Sequence, residues 1–317
     1  MKTDYLRVSV TDRCNLRCVY CHPLDSEAFI ERKEILSLEE IDRIVAFFVK
    51  CGIRKVRLTG GEPLVRKNIV YLVEKLAGID GVEELSLTTN GVLLESLAEE
   101  LKNAGLQRVN ISVDSAENQS YKEITGFDLL PKVTKGIYKA LEVGLKPVKI
   151  NSIIIKDINF SQILPLARIS VDLPFAVRFI EYCPTGRNTR SASDYISTSE
   201  VREIIESKFG PLSVVLTDNA NGPAKYFKIR NAAGTIGFIS GRSSMFCRDC
   251  NRLRLTSDGK VRPCLYSAHS YDLKKLIRNG AGDREVFNLL KRIISEKKNY
   301  NKLNSFTEEF SMRKVGG

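Results

Sequence analysis

Between residues 5 and 208, apolar strand-like runs alternate six times with stretches of helical period, and no other feature constrains the fold as much. Strands are predicted near Leu6–Val10, Val56–Thr59, Glu84–Thr88, Val109–Val113, Val148–Ile153 and Val177–Ile180. Helices are predicted near Leu38–Cys51, Asn68–Leu76, Glu95–Ala104, Pro131–Val143, Gln162–Ile169 and Thr198–Lys208. Ser37, ahead of Leu38-Glu39-Glu40, supplies an N-cap and a capping-box glutamate, while Gly52, Gly105 and Gly144 follow helical runs as C′ residues do. Strands that each lead into a helix make a parallel α/β sheet, either a barrel or an open sheet.

The strands themselves favour a barrel. Both faces of an ordinary parallel sheet are covered and its strands are almost wholly apolar. Here Leu6, Val8 and Val10 alternate with Arg7 and Ser9, Val56 and Leu58 with Lys55, Arg57 and Thr59, and Val109, Ile111 and Val113 with Asn110, Ser112 and Asp114. Ser86, Thr88, Lys149, Asn151 and Arg178 continue the polar face. If the apolar face packs under the helices, the polar face lines an incomplete (βα)6 barrel whose interior is a ligand cavity. An open sheet with one wet face is the alternative, although crossover helices normally cover both sides. After about Pro211 the texture changes to short strands (Tyr226–Arg230, Thr235–Ser240), a Cys-bearing loop and helices near Leu273–Arg278 and Arg284–Lys297. The expected division is therefore a partial barrel over 1–210 and a C-terminal α+β extension over 211–317.

Forty-nine Lys and Arg against 38 Asp and Glu leave a charge of +11, which favours an anionic partner such as a nucleotide, a nucleic acid or a phosphate ester. No apolar run approaches the roughly 20 residues that span a bilayer, and the N-terminus carries no signal pattern, so no membrane role and a cytoplasmic location are expected. His22 and His269 are the only histidines, too few for a His-based zinc centre or a Ser-His-Asp triad. Six of the eight cysteines fall into two tight groups, a pattern that reads as metal ligation before disulfides.

The first strand runs into Cys14, Cys18 and Cys21, a C-x3-C-x2-C spacing at the C-terminal mouth of the barrel. Three thiolates can each hold one iron of a [4Fe–4S] cluster, leaving the fourth iron for a non-protein ligand, whereas zinc needs a fourth donor that His22 is too close to supply. The motif, with Tyr20 as its aromatic, resembles that of the radical S-adenosylmethionine (SAM) superfamily. Thr59-Gly60-Gly61-Glu62-Pro63 after strand two is similar to the superfamily's GGEP motif, and Thr88-Thr89-Asn90-Gly91 and Ser112 stand at further strand ends. The resemblance implies that Tyr20, Gly61, Ser112 and Cys183 bind SAM. Cys183 stands where relatives commonly carry Met.

The second group is Cys247-Arg248-Asp249-Cys250, followed after thirteen residues by Cys264, again three thiols. Asn251-Arg252-Leu253-Arg254 follows Cys250, and the chain ends Val315-Gly316-Gly317. Together these features resemble the GTP 3′,8-cyclase family of molybdenum cofactor biosynthesis. That resemblance implies two [4Fe–4S] clusters, on Cys14, Cys18 and Cys21 and on Cys247, Cys250 and Cys264. It further implies SAM as radical source, a GTP site made by Arg7, Arg57, Thr88, Lys149, Arg252, Leu253 and Arg254, and catalytic roles for Arg252, Arg254 and Arg7. An electron donor and a downstream cyclic pyranopterin monophosphate synthase are the implied partners, with no nucleic acid bound; the chain would be a monomer or homodimer. A radical SAM enzyme maturing a peptide or protein would explain both Cys groups but not the cationic lumen. A basic RNA-modifying Fe–S protein would explain the net charge, yet no patch interleaved with aromatics is evident.

Overall fold

The structure is a computed structural model and describes residues 3–21, 29–183, 194–216, 222–244, 247, 250–299 and 312–316. The six predicted strands are β1 (Tyr5–Ser9), β2 (Lys55–Thr59), β3 (Glu84–Thr89), β4 (Arg108–Ser112), β5 (Lys149–Ile154) and β6 (Ala176–Glu181), paired in parallel in chain order. Between and after them come α1 (Leu38–Lys50), α2 (Ile69–Ala77), α3 (Leu94–Asn103), α4 (Asn118–Thr125), α5 (Leu130–Glu142), α6 (Lys156–Asn159), α7 (Ile163–Asp172) and α8 (Thr198–Phe209). The short helices α4 and α6 were not predicted; their apolar positions are too few to show a period. Ser37 and Glu40 form the predicted capping box on α1.

The C-terminal strands do not form a separate sheet. They are β7 (Ser213–Val215), β8 (Lys225–Lys228), β9 (Thr235–Ile239), β10 (Arg252–Leu255), β11 (Lys260–Arg262) and β12 (Tyr271–Asp272). All belong to one 12-stranded sheet in the order β12-β11-β10-β1-β2-β3-β4-β5-β6-β9-β8-β7. β10 adds in parallel to β1, and β9 in parallel to β6, so the extension covers both edges of the six-stranded core. A partial barrel exposes two rows of unpaired N–H and C=O groups, and these strands satisfy them. The chain closes with α9 (Leu273–Arg278), α10 (Asp283–Glu296) and the single turn α11 (Met312–Val315).

Leu6, Val8, Val56, Leu58, Leu85, Leu87, Val109, Ile111, Ile150, Val177 and Phe179 are buried in one continuous core with the helices. The opposite face is the concave one. Arg178 on β6 lowers the proton affinity of Arg7 on β1, five strands away. In a flat sheet they would stand about 24 Å apart, so the sheet curves far enough for the two charges to meet across a lumen. Arg178 Nη2 also donates to Asn110 Oδ1 at 3.0 Å, past the intervening β5. The polar face thus lines a concave lumen, although the sheet order runs from β12 to β7 without closing.

Candidate active site

The loop after β1 carries the first three cysteines, and neighbouring strand ends hold it in place. Arg17 and Val19 donate backbone N–H bonds to Thr125 and Ile124 at the end of α4, at 2.9 and 3.0 Å. Tyr20 Oη donates to Asp114 Oδ2 at 2.5 Å, and Asp114 also accepts from the Ile153 backbone N–H. Burial lifts Asp114 to about 6 despite these donors. Asn90 Nδ2 reaches Cys14 Sγ at 3.8 Å and Asn15 Oδ1 at 2.7 Å. Gly61 explains the need for glycine after β2, because a Cβ there would lie 2.3 Å from the Arg13 carbonyl oxygen. Its N–H donates to the Thr11 carbonyl at 2.7 Å. The missing side chain thus makes room for the protein's own Cys loop, and Gly61 can meet a ligand only through its backbone. Glu62, buried and lifted by that burial to about 7, accepts from Leu64 N, Thr89 Oγ1 and Asn90 N and clamps the loops after β2 and β3 together.

Cys14, Cys18 and Cys21 are partly exposed, and their thiols sit close enough to disfavour one another's ionisation. Burial first, then Asp114 and the other thiols, push Cys18 up; burial and Cys14 push Cys21 to about 11, while Arg313 opposes the rise. Among the described residues no three His, Cys, Asp or Glu side chains are arranged to hold a bare ion. A set of three partly exposed thiols, sulfur throughout, nevertheless fits a [4Fe–4S] cluster, whose cationic iron would replace the thiol protons.

The lumen wall is cationic in register. Arg254 on β10 stands opposite Arg7 on β1, Arg7 opposite Arg57 on β2, Arg57 opposite Ser86 on β3, and Ser86 opposite Arg108 on β4. One residue pair further on, Thr88 stands beside Asn110 and Asn110 beside Lys149. Burial pushes Arg7 down to about 10 and Arg57 to about 9, and the neighbouring guanidiniums add to the fall. Lys149 is brought to about 7 by burial and then by Arg178, Arg108 and Arg57. Arg7 Nε is buried without a hydrogen-bond partner. Cations held in this way, short of counter-charge, form a preorganised site for a polyanion.

Most predicted residues converge here. Arg252 and Arg254 share one face of β10 and look into the lumen, whereas Leu253 between them is fully buried in the core. Leu253 can therefore touch a lumen ligand only through its backbone, because a strand alternates its side chains. The sequence reading passed over Arg108, which shares its parity with Asn110 and Ser112 and lies one residue before the predicted start of β4.

Cys250, two residues before β10, and Cys264, two residues after the antiparallel β11, stand at the same end of this strand pair. Cys250 N donates to the Cys247 carbonyl at 3.3 Å. Burial raises the Cys250 thiol, but Lys297, whose Nζ lies 3.7 Å from its sulfur, together with Arg252 and Arg254 brings it below its usual value. Cys183 shares a small apolar cluster with Tyr266, Val315 and Cys264, so it lies by the second Cys group. Gly316 on the tail has its carbonyl taken by Arg254 Nη1, and a Cβ on it would meet Thr59 Oγ1 at 2.0 Å. The tail thus enters the lumen. His22, Pro184, Arg248, Asp249 and Gly317 lie outside the described residues.

A curved parallel sheet with a three-cysteine loop after its first strand defines a radical SAM protein. Residues 8–169 match the family model for the Radical SAM superfamily, and residues 175–303 match the model Molybdenum Cofactor Synthesis C. The crystal structure of Streptococcus suis SuiB has this fold, with a TM-score of 0.63 at 17% identity, covering 95% of this chain and 68% of that one. Among curated relatives, the GTP 3′,8-cyclase of Pelotomaculum thermopropionicum is 45% identical over 316 residues, 99% of this chain and 97% of the relative. That of Thermodesulfovibrio yellowstonii is 46% identical over 284 residues, covering 89% and 88%. The chain belongs to the GTP 3′,8-cyclase family.

Proposed function

We propose that this chain converts GTP to (8S)-3′,8-cyclo-7,8-dihydro-GTP, the first step of molybdenum cofactor biosynthesis. The observation that carries the proposal is the row Arg254, Arg7, Arg57, three cations in register on adjacent strands that lead inward from the second Cys group. A nucleoside triphosphate brings the negative charge that this row lacks. The peptide-maturing alternative explains the Cys groups but gives the row no role.

Cys14, Cys18 and Cys21 would hold the SAM cluster, and Tyr20, Gly61, Ser112 and Cys183 would bound the SAM site. Cys247, Cys250 and Cys264 would hold the second cluster. When bound, the reduced cluster and SAM supply a 5′-deoxyadenosyl radical able to take the 3′ hydrogen of the nucleotide. The protein's part is placement. Arg252 and Arg254 orient the nucleotide beside the second Cys group, Arg7 and Arg57 carry the charge of its phosphates, and Thr88 and Lys149 bound it from the opposite wall. Gly316, held by Arg254, closes the lumen on the side of β1 and β2. Residues 211–317 act with this site as an auxiliary unit. A one-electron donor and a downstream cyclic pyranopterin monophosphate synthase complete the pathway in the cytoplasm.

The test is anaerobic reconstitution with SAM, GTP and dithionite, followed by identification of the nucleotide product. Alanine at Cys14, Cys18 or Cys21 is expected to abolish SAM cleavage. Alanine at Cys247, Cys250 or Cys264 is expected to spare SAM binding and remove the cyclised product. Equal loss of SAM binding in both sets would overturn the division of labour between the two Cys groups.

A further inference from the structure

Arg108 is a lumen arginine paired with a carboxylate, and yet part of it is unused. It begins β4 on the lumen-facing parity, opposite Ser86, at the far end of the row that starts at Arg254. Its Nη2 is paired with Glu84 Oε1. Its Nη1 is buried without a hydrogen-bond partner. A buried guanidinium N–H left unmatched is costly, and a ligand that accepts from it would remove that cost.

The position is as informative as the missing partner. From Arg254 to Arg108 the row crosses four strand spacings, about 19 Å along the sheet and less across its curve. That reach suits a nucleotide extended along the wall, with its base at the Cys250 end and its last phosphate at the β4 end. Arg108 also acts on Arg57, Arg178 and Lys149, so the four cations share one region of the lumen. Among the described residues, Glu84 is the carboxylate paired with Arg108 there, and it is 27% exposed. It holds the Arg108 head in place while Nη1 stays without a partner.

We propose that Arg108, held by Glu84, binds the terminal phosphate of the nucleotide and makes the site select a triphosphate over a diphosphate. This inference rests on the lumen being a GTP site and extends it to a residue that positions the end of the chain away from the chemistry. Arg108 touches neither Cys group, so it acts on binding and not on the reacting atoms.

The experiment measures GTP, GDP and GMP binding to the anaerobically reconstituted protein and to its Arg108→Gln, Arg108→Lys and Glu84→Gln variants, with iron content as a control for intact sites. Wild-type protein is expected to prefer GTP over GDP. Arg108→Gln should weaken GTP by tenfold to a hundredfold, the order expected for one charge-assisted bond, while GDP and GMP change by less than about twofold. Arg108→Lys keeps a charge against Glu84 and protects against misfolding. Its single ammonium cannot serve Glu84 and phosphate in one plane, so it should also lose most of the preference for GTP. Glu84→Gln, whose amide oxygen can still accept from Arg108 Nη2, should retain that preference. At saturating GTP, product formation by Arg108→Gln should return to near the wild-type rate, with the defect in KM alone. Equal weakening of GTP and GDP in both Arg108 variants would make the residue merely structural and overturn the proposal, as would GTP binding left intact. Wild-type protein that bound none of the three nucleotides would instead overturn the GTP site itself.

Discussion

At the scale of residues, the site depends on cations held in numbers that only an anion can balance. Arg252 and Arg254 are two residues apart on one strand, so both guanidiniums face the lumen. Alanine at either is expected to cost a hundredfold or more in cyclised product, and Arg252→Lys should recover little, because an ammonium restores charge without the planar fork. Single-turnover assays of product and of 5′-deoxyadenosine in parallel check this, and near-normal product would move the nucleotide elsewhere. Lys149 adds a pH dependence. Its folded-state value is lowered to about 7 by burial and then by Arg178, Arg108 and Arg57, with Glu84 opposing and the Tyr226 ring 5.8 Å away. Above pH 7 the free protein therefore loses this charge, and an arriving phosphate must restore it by drawing a proton. GTP affinity should fall by up to about tenfold per pH unit above 7, with proton uptake in calorimetry, and Lys149→Arg should flatten the profile. A flat wild-type profile would mean that Lys149 does not meet the phosphates. The alternation of Arg7, Arg57, Lys149 and Arg178 with apolar neighbours was legible because a strand fixes facing by parity. The buried, unpartnered Nη1 of Arg108 was not, since partners from other strands decide it.

At the scale of elements, β10 and α11 carry parts of the site that came late in the chain. β10 is four residues long, and its Leu253 and Leu255 are fully buried while its arginines face the lumen. Sequence patterning singled out R-x-R but could not say that the strand would lie beside β1, because strand pairing at a distance of some 245 residues leaves no local trace. The single turn α11 places Val315 against Tyr266 and Gly316 against Thr59 and Ser9. Gly316 has φ +80, and a methyl group there would also collide with Thr59 Oγ1. Gly316→Ala should therefore displace the tail and lower product formation by at least about tenfold, while Tm changes little because α11 adds few residues to the core. Product formation and thermal unfolding of the same preparation check both halves. Unchanged turnover would show that the tail enters the lumen without serving the reaction.

At the scale of the whole molecule, the extension and the barrel share one sheet. β10 and β9 cover β1 and β6, the two edges that a six-stranded fragment would expose. A chain ending at residue 210 should consequently expose two parallel edges and aggregate, even though it retains all six βα units and the first three cysteines. Size-exclusion chromatography and denaturant unfolding of the truncated chain check this, and a monomeric, cooperatively unfolding fragment would show that the barrel is an independent domain. The surface contributes differently. Exposed pairs such as Arg43 with Asp283 and Arg168 with Asp172 are net neutral and weakened by screening, so the unbalanced positive charge that matters is the buried lumen row, where solvent screens it least.

The sequence by itself determined the βα repeat, the polar interior face, the two cysteine triads and the arginine pair. Each of these is written in a period or spacing of a few residues, which local sterics and ligand geometry translate directly into structure. Only the tertiary structure decided that the C-terminal strands extend the barrel sheet at both edges. It alone also brought Cys183 and Cys264 to one cluster, turned Leu253 into core, set Gly316 against Thr59 and left Arg108 Nη1 buried without a partner. These outcomes depend on which distant strands pair and on how far the sheet curves, and both follow from burying apolar faces and unpaired edges across the whole chain.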